Sequence, residues 1–158
     1  MSTPLRELRT WRRVHLSLVR EKSPEPYAQP AVVRHGGDVA RLVRQVIRDD
    51  PREHFVAVYL DTAHRPIAVH VASIGTVNTT VAQPREVFGP ALTLAATALV
   101  VAHNHPTGDP KPSPEDFRVT DRLRQAGDLL GVELLDHIVL GADAYHSIGS
   151  GTTHPLGS

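Results

Sequence analysis

The stretch LVVAHNHPTGDPKPSPEDF, Leu99 to Phe117, decides how this chain is read. An apolar run stops abruptly on two histidines one residue apart, followed by prolines, a serine and acids. The run TALVVAH, Thr97 to His103, predicts a central strand buried on both faces. Side chains at i and i+2 of a strand point the same way, so His103 and His105 can reach one ion from the strand's C-terminal end. Beyond the loop, Ser113 is placed to cap a helix, Pro114 takes its first position, and Asp116 falls in its first turn, where a carboxylate can turn back toward the strand. Two imidazoles and one carboxylate leave a fourth tetrahedral position for water, the arrangement of a catalytic rather than a structural zinc site. The absence of cysteine agrees, because structural zinc usually recruits thiolates. With ten histidines in the chain, an H-x-H arises by chance at a rate of roughly one half. S-x-x-D, likewise, marks helix starts in general. On spacing alone, a metal centre and a pair of backbone-bonded loop histidines both stand.

Working outward, the helix that starts at Ser113-Pro114 carries Phe117, Val119, Leu123 and Leu129 as its apolar side and closes at Gly131. VELLDHIVL and AYHSIG supply two last strands. Upstream, Pro84 opens a helix through Val87, Ala91, Leu92 and Ala95. HFVAVYLD and RPIAVHVASI, separated by the polar TAH, read as a hairpin, and GTVNTTVAQ offers a further short strand after the break at Gly75. Val39, Leu42, Val43, Val46 and Ile47 recur at helical spacing with Asp38 as N-cap, in a helix ending near Asp50-Pro51. RRVHLSLVRE alternates as an edge strand would, at Val14, Leu16 and Leu18, and EKSPEPYAQP reads as an extended linker. The organisation expected is an arm and linker over residues 1–36, one domain over 37–149 and a tail over 150–158. Strands alternating with about three helices make the class α/β, one central sheet flanked by helices.

The 158 residues hold 17 Lys+Arg against 17 Asp+Glu, so no overall basic field recommends nucleic acid or an anionic membrane. Without cysteine there are no disulfides and no thiolate nucleophile, which fits a reducing compartment such as the cytoplasm. Arg6, Arg9, Arg12 and Arg13 are not followed by an apolar segment of signal-peptide or transmembrane length. No G-x-S-x-G elbow, Walker A loop or dinucleotide glycine pattern occurs, and the deaminase signature needs cysteines the chain lacks.

HNHPTGDPKPSPED resembles the JAMM signature of the JAB1/MPN/Mov34 metalloproteases: H-x-H, seven residues, Ser, two residues, Asp, met by His103, His105, Ser113 and Asp116. Within that family the chain is similar to the RadC-like branch, in REHFVAVYLD (Arg52 to Asp61), SIGTVN (Ser73 to Asn78), QPREVF (Gln83 to Phe88), AHNHPTGDPKPS and LLDHIVLG (Leu134 to Gly141). The resemblance implies a single MPN domain, cytidine-deaminase-like, with a mixed sheet. It implies Zn2+ held by His103, His105 and Asp116, and a hydrolase cleaving a peptide or isopeptide bond with activated water. Glu53 would take the water's proton and hand it to the leaving amine, while the Ser113 hydroxyl donates to the developing oxyanion. Glu86 is the competing carboxylate, read as an ion pair with Arg85 or a substrate contact. Asp136 and His137 either orient a metal ligand or form a satisfied polar pair. His64, His70, His146 and His154 have no partner at ligand spacing and read as scattered polar residues. RadC-like proteins also carry a DNA-repair label, so a scaffold or binding module without turnover is the alternative. The helix-hairpin-helix region that precedes the domain in longer RadC-like proteins is not found in this sequence, and the Arg-rich arm is the one handle for phosphate.

Overall fold

A computed structural model describes residues 30–75 and 82–157. The proposed edge strand of the arm, most of the linker and most of GTVNTTVAQ lie outside the described residues. Three helices and six strands follow in the order α1 (Gly36–Ile47), β1 (Glu53–Leu60), β2 (Pro66–Gly75), α2 (Pro84–Thr93), β3 (Ala98–Asn104), α3 (Pro114–Leu130), β4 (Glu133–Leu140), β5 (Ala144–Ser147) and β6 (Thr152–Pro155). The strands form one sheet in the order β2-β1-β3-β4-β5-β6. Only β3 and β4 run parallel, joined by α3 as the crossover that a parallel pair needs. The other pairings are antiparallel, so the sheet is mixed and the fold is α/β.

The sheet is covered on both faces, which is why β1 and β3 read as unbroken apolar runs. On one face, Val56, Val58, Leu60, Val100 and Ala102 pack with Val39, Leu42 and Val43 of α1. On the other, Ala57, Tyr59, Leu99 and Val101 meet Val87, Phe88 and Ala91 of α2 and Val119 and Leu123 of α3. The Tyr59 hydroxyl, buried there, donates to the carbonyl of Val87 at 2.7 Å.

Several boundaries differ from the sequence reading. His35, not Asp38, is the N-cap of α1; Asp38 sits three residues on and its carboxylate accepts the N–H of Arg34 and of His35. The helix stops at Ile47 because Arg48 turns to a positive φ of 56°. In α2, Leu92 is exposed and Ala95 lies past the helix end at φ 52°. In α3 the buried stripe is Val119, Thr120, Leu123 and Gly127, while Phe117 and Leu129 are 47% and 87% exposed. The stretch expected as a tail contains β6, which pairs with β5 from Ala144↔Pro155 to Ser147↔Thr152.

Candidate metal centre

β3 lies between β1 and β4, so its C-terminal end is buried from both sides. His103, 1% exposed, points to the α2/α3 face with its ring stacked parallel to Phe55, the residue opposite it in β1. His105 follows just beyond the strand, its N–H bonded to the carbonyl of Leu140 in β4. Ser113 and Pro114 start α3 as the sequence implies: the Ser113 Oγ accepts the N–H of Asp116 at 3.2 Å, and the Asp116 carboxylate accepts the N–H of Ser113 at 2.7 Å. That reciprocal cap fixes the carboxylate over the strand end.

The three side chains converge. The Nε2 atoms of His103 and His105 are 3.0 Å apart, His103 Nε2 is 3.2 Å from Asp116 Oδ1, and His105 Nε2 is 3.3 Å from Asp116 Oδ2. This is the one cluster of histidines and carboxylates at ligand spacing among the described residues; His64, His70, His146 and His154 belong to none. The donor set fits a metal in two ways. Ligands about 2.0–2.1 Å from a tetrahedral zinc stand roughly 3.3 Å from one another, close to the spacings found. Moreover, the atoms that face each other are all acceptors. His105 Nδ1 lies 2.9 Å from the carbonyl of Asp109, which accepts only, so the ring's proton is on Nδ1 and Nε2 is bare.

The same deduction holds for His103 through His137, which the sequence left between orienting a ligand and pairing with Asp136, and through Thr120, which it did not place. His103 Nδ1 is 2.8 Å from Nε2 of His137, whose Nδ1 is 2.6 Å from the Thr120 hydroxyl, which donates to the carbonyl of Asp116 at 2.7 Å. Thr120 has one proton and gives it to a carbonyl, so it accepts from His137 Nδ1–H; His137 Nε2 then accepts from His103 Nδ1–H, and His103 Nε2 is bare. Bare nitrogens and a carboxylate crowded together call for a cation. Without a metal a proton serves: its hydrogen bond with Asp116 holds His105 above the usual imidazole range against the effect of burial, and the Glu53 charge adds to this. Burial pushes Asp116 upward, but the proton it shares with His105 and the N–H of Ser113 outweigh it and leave the carboxyl far below its usual range. Burial keeps His137 well below the usual range, hence neutral.

Asp136 and His137 part company. A β-bulge in β4 pairs Leu134 with Leu99 and Asp136 with Val100, so the extra residue resets the alternation and turns His137 to the metal face. Asp136, on the opposite side, accepts from its neighbour's N–H, from Ser147 and from Gly149. Asn104, between the two histidines, was likewise unread. Its amide donates to the carbonyl of Arg52 at 2.9 Å and accepts the N–H of His54 at 2.7 Å. Glu53 begins β1 between these two bonds, half-buried, two residues before Phe55 and on the same side of the strand. Glu86 is exposed in the first turn of α2, 3.2 Å from Arg85. No helix among the described residues is long and apolar enough to cross a membrane.

The sequence model of the RadC-like JAB domain matches residues 33–153. A UPF0758 protein of Desulforamulus reducens is 41% identical over 135 residues, 85% of this chain and 60% of that protein. One from Shouchella clausii is 47% identical over 117 residues, 74% of this chain and 51% of the relative. Another, from Desulfitobacterium hafniense, is 40% identical over 129 residues, 82% of this chain and 56% of its own. The chain thus spans little more than half the length of these curated relatives.

Proposed function

The chain belongs to the RadC-like JAB domain family, and from that premise we propose that it is a zinc-dependent hydrolase of the JAMM type, acting on a peptide or isopeptide bond of a protein substrate. The observation that carries the reading is the meeting of the Nε2 atoms of His103 and His105 with one carboxylate at tetrahedral spacing, while the Nδ1 atom of each ring is bonded elsewhere. Zinc bound there would supply a Lewis acid and a water acidic enough to ionise near neutral pH.

Glu53 is the base in this reading. What supports it is its place at the start of β1, pinned on both sides by Asn104 and close enough for its charge to act on His105. Its carboxylate takes a proton from water and returns it to the leaving amine. Ser113 uses its oxygen to accept from Asp116 N–H, which leaves its own proton to donate to the carbonyl oxygen under attack. His103, His105 and Asp116 would hold the ion, and His103 is itself closed off from water.

Elemental analysis of the purified protein should find about one zinc per chain in the wild type and a large loss in His103→Ala. The wild type should also cleave members of a panel of linear and isopeptide-linked peptides. Equal, near-zero zinc in both proteins overturns the reading.

A further inference from the structure

We propose that His137 and Thr120 are positioning residues for the metal centre: their hydrogen bonds force His103 to present a bare Nε2 and tie its ring to the helix turn that carries Asp116. This rests on the metal reading above and goes beyond its ligands.

The chain of bonds starts on one ligand, His103, passes through β4 at His137 and α3 at Thr120, and ends on the backbone carbonyl of another, Asp116. The carbonyl at its end cannot donate, so only one order of protons satisfies every atom. Reversing any link would leave two acceptors, or two N–H groups, facing each other in a place where water does not reach, since His137 is wholly buried and Thr120 1% exposed. A neutral imidazole has two tautomers of similar energy, and only one can ligate through Nε2; a fixed acceptor at Nδ1 removes the other before any metal arrives. The ring of His103 is also held in its plane, by Phe55 stacked on one side and His137 crossing at 56° with centroids 4.9 Å apart. The anchor explains why α3 buries a threonine in its apolar stripe. Valine would fill the same space, but it would leave His137 Nδ1–H without an acceptor at full burial.

The test uses the full chain, 15N-labelled and metal-free at pH 8, and then zinc titrated against a chromophoric chelator. A long-range 1H–15N correlation spectrum should show His103 and His137 both protonated on Nδ1. Thr120→Val should weaken zinc binding about 10- to 100-fold and bring the other His103 tautomer into the spectrum, while Thr120→Ser restores both. Wild-type His103 protonated on Nε2, or a folded Thr120→Val protein binding zinc as the wild type does, overturns the role. The wild-type spectrum decides even if the valine variant does not fold. A wild type that shows the expected tautomer and holds no zinc overturns the metal reading and this role with it, a result distinct from equal binding by wild type and variant.

Discussion

The side chain of Asn104 brackets Glu53, bonding to the carbonyl of the residue before it and to the N–H of the residue after it. β1 and β3 stay paired only to Phe55↔His103; one step further Asn104 pairs with β4 alone, and its amide spans the gap to β1. Removing that amide should release the start of β1 and leave the metal ligands in place. Asn104→Ala is therefore expected to lower kcat about 10- to 100-fold with zinc content unchanged. Steady-state kinetics beside elemental analysis checks it; a parallel loss of zinc would instead make Asn104 part of the support for the ligands.

Glu53→Gln keeps the shape and polarity of the side chain but cannot take a proton. Turnover should fall about 10²- to 10⁴-fold at equal zinc occupancy. The same measurement on Glu86→Gln should give close to wild-type rates, because Glu86 is exposed and already paired with Arg85. The opposite pattern would move the base to Glu86.

In the metal-free protein, His105 and His137, among the described residues, shape the pH dependence of stability near neutrality, with opposite signs. His105 has its folded value above 6.5, so its contribution is complete below pH 6.5 and is lost as the pH rises through that higher value. His137 has its folded value well below 6.5, so its contribution is complete above pH 6.5 and is lost as the pH falls, beginning where the unfolded chain starts to take the proton. The lowered carboxyls of Asp38 and Asp116 act only below their unfolded value of 3.8. Urea unfolding of the metal-free chain should thus find a stability maximum near pH 6.5. Saturating zinc, which needs a neutral His105, should remove the decline on the alkaline side.

Gly127 lies where α3 passes the start of β4. A Cβ at that position would stand 2.4 Å from the carbonyl of Val132 and 3.3 Å from the ring of Phe88. Alanine normally favours a helix over glycine, but here backbone must move to admit it. Gly127→Ala should destabilise the protein by about 1–3 kcal/mol in urea unfolding, and a stabilised variant would contradict the packing described.

The strand that ends on His103 and the cap that presents Asp116 were legible because each signal is local. Apolar continuity, an i,i+2 pair and Ser-Pro-x-Asp lie within about one turn of the chain that expresses them. His137 stayed between orienting a ligand and pairing with Asp136, because the side it faces depends on a bulge at Leu135 that no residue pattern announces. The apolar side of α3 was misjudged for a related reason: its buried stripe includes Thr120, kept for its hydroxyl, and Gly127, kept for its lack of a side chain. Phe117 and Leu129 therefore looked like better core residues than they are. β6 escaped notice because all four of its residues are exposed, so burial wrote no alternation into them.

Asp116 would serve the helix and an ion with the same carboxylate, and the helix does not wait for the ion. Its bond to the Ser113 N–H, like the burial of Val119 and Leu123 behind it, stands with or without an occupant. A chelator should therefore empty this protein without unravelling it, and refilling should run at the speed of ligand exchange rather than of chain folding. If the proposed zinc site is right, a domain made in this way would stand idle when zinc is scarce and return to work when it is restored.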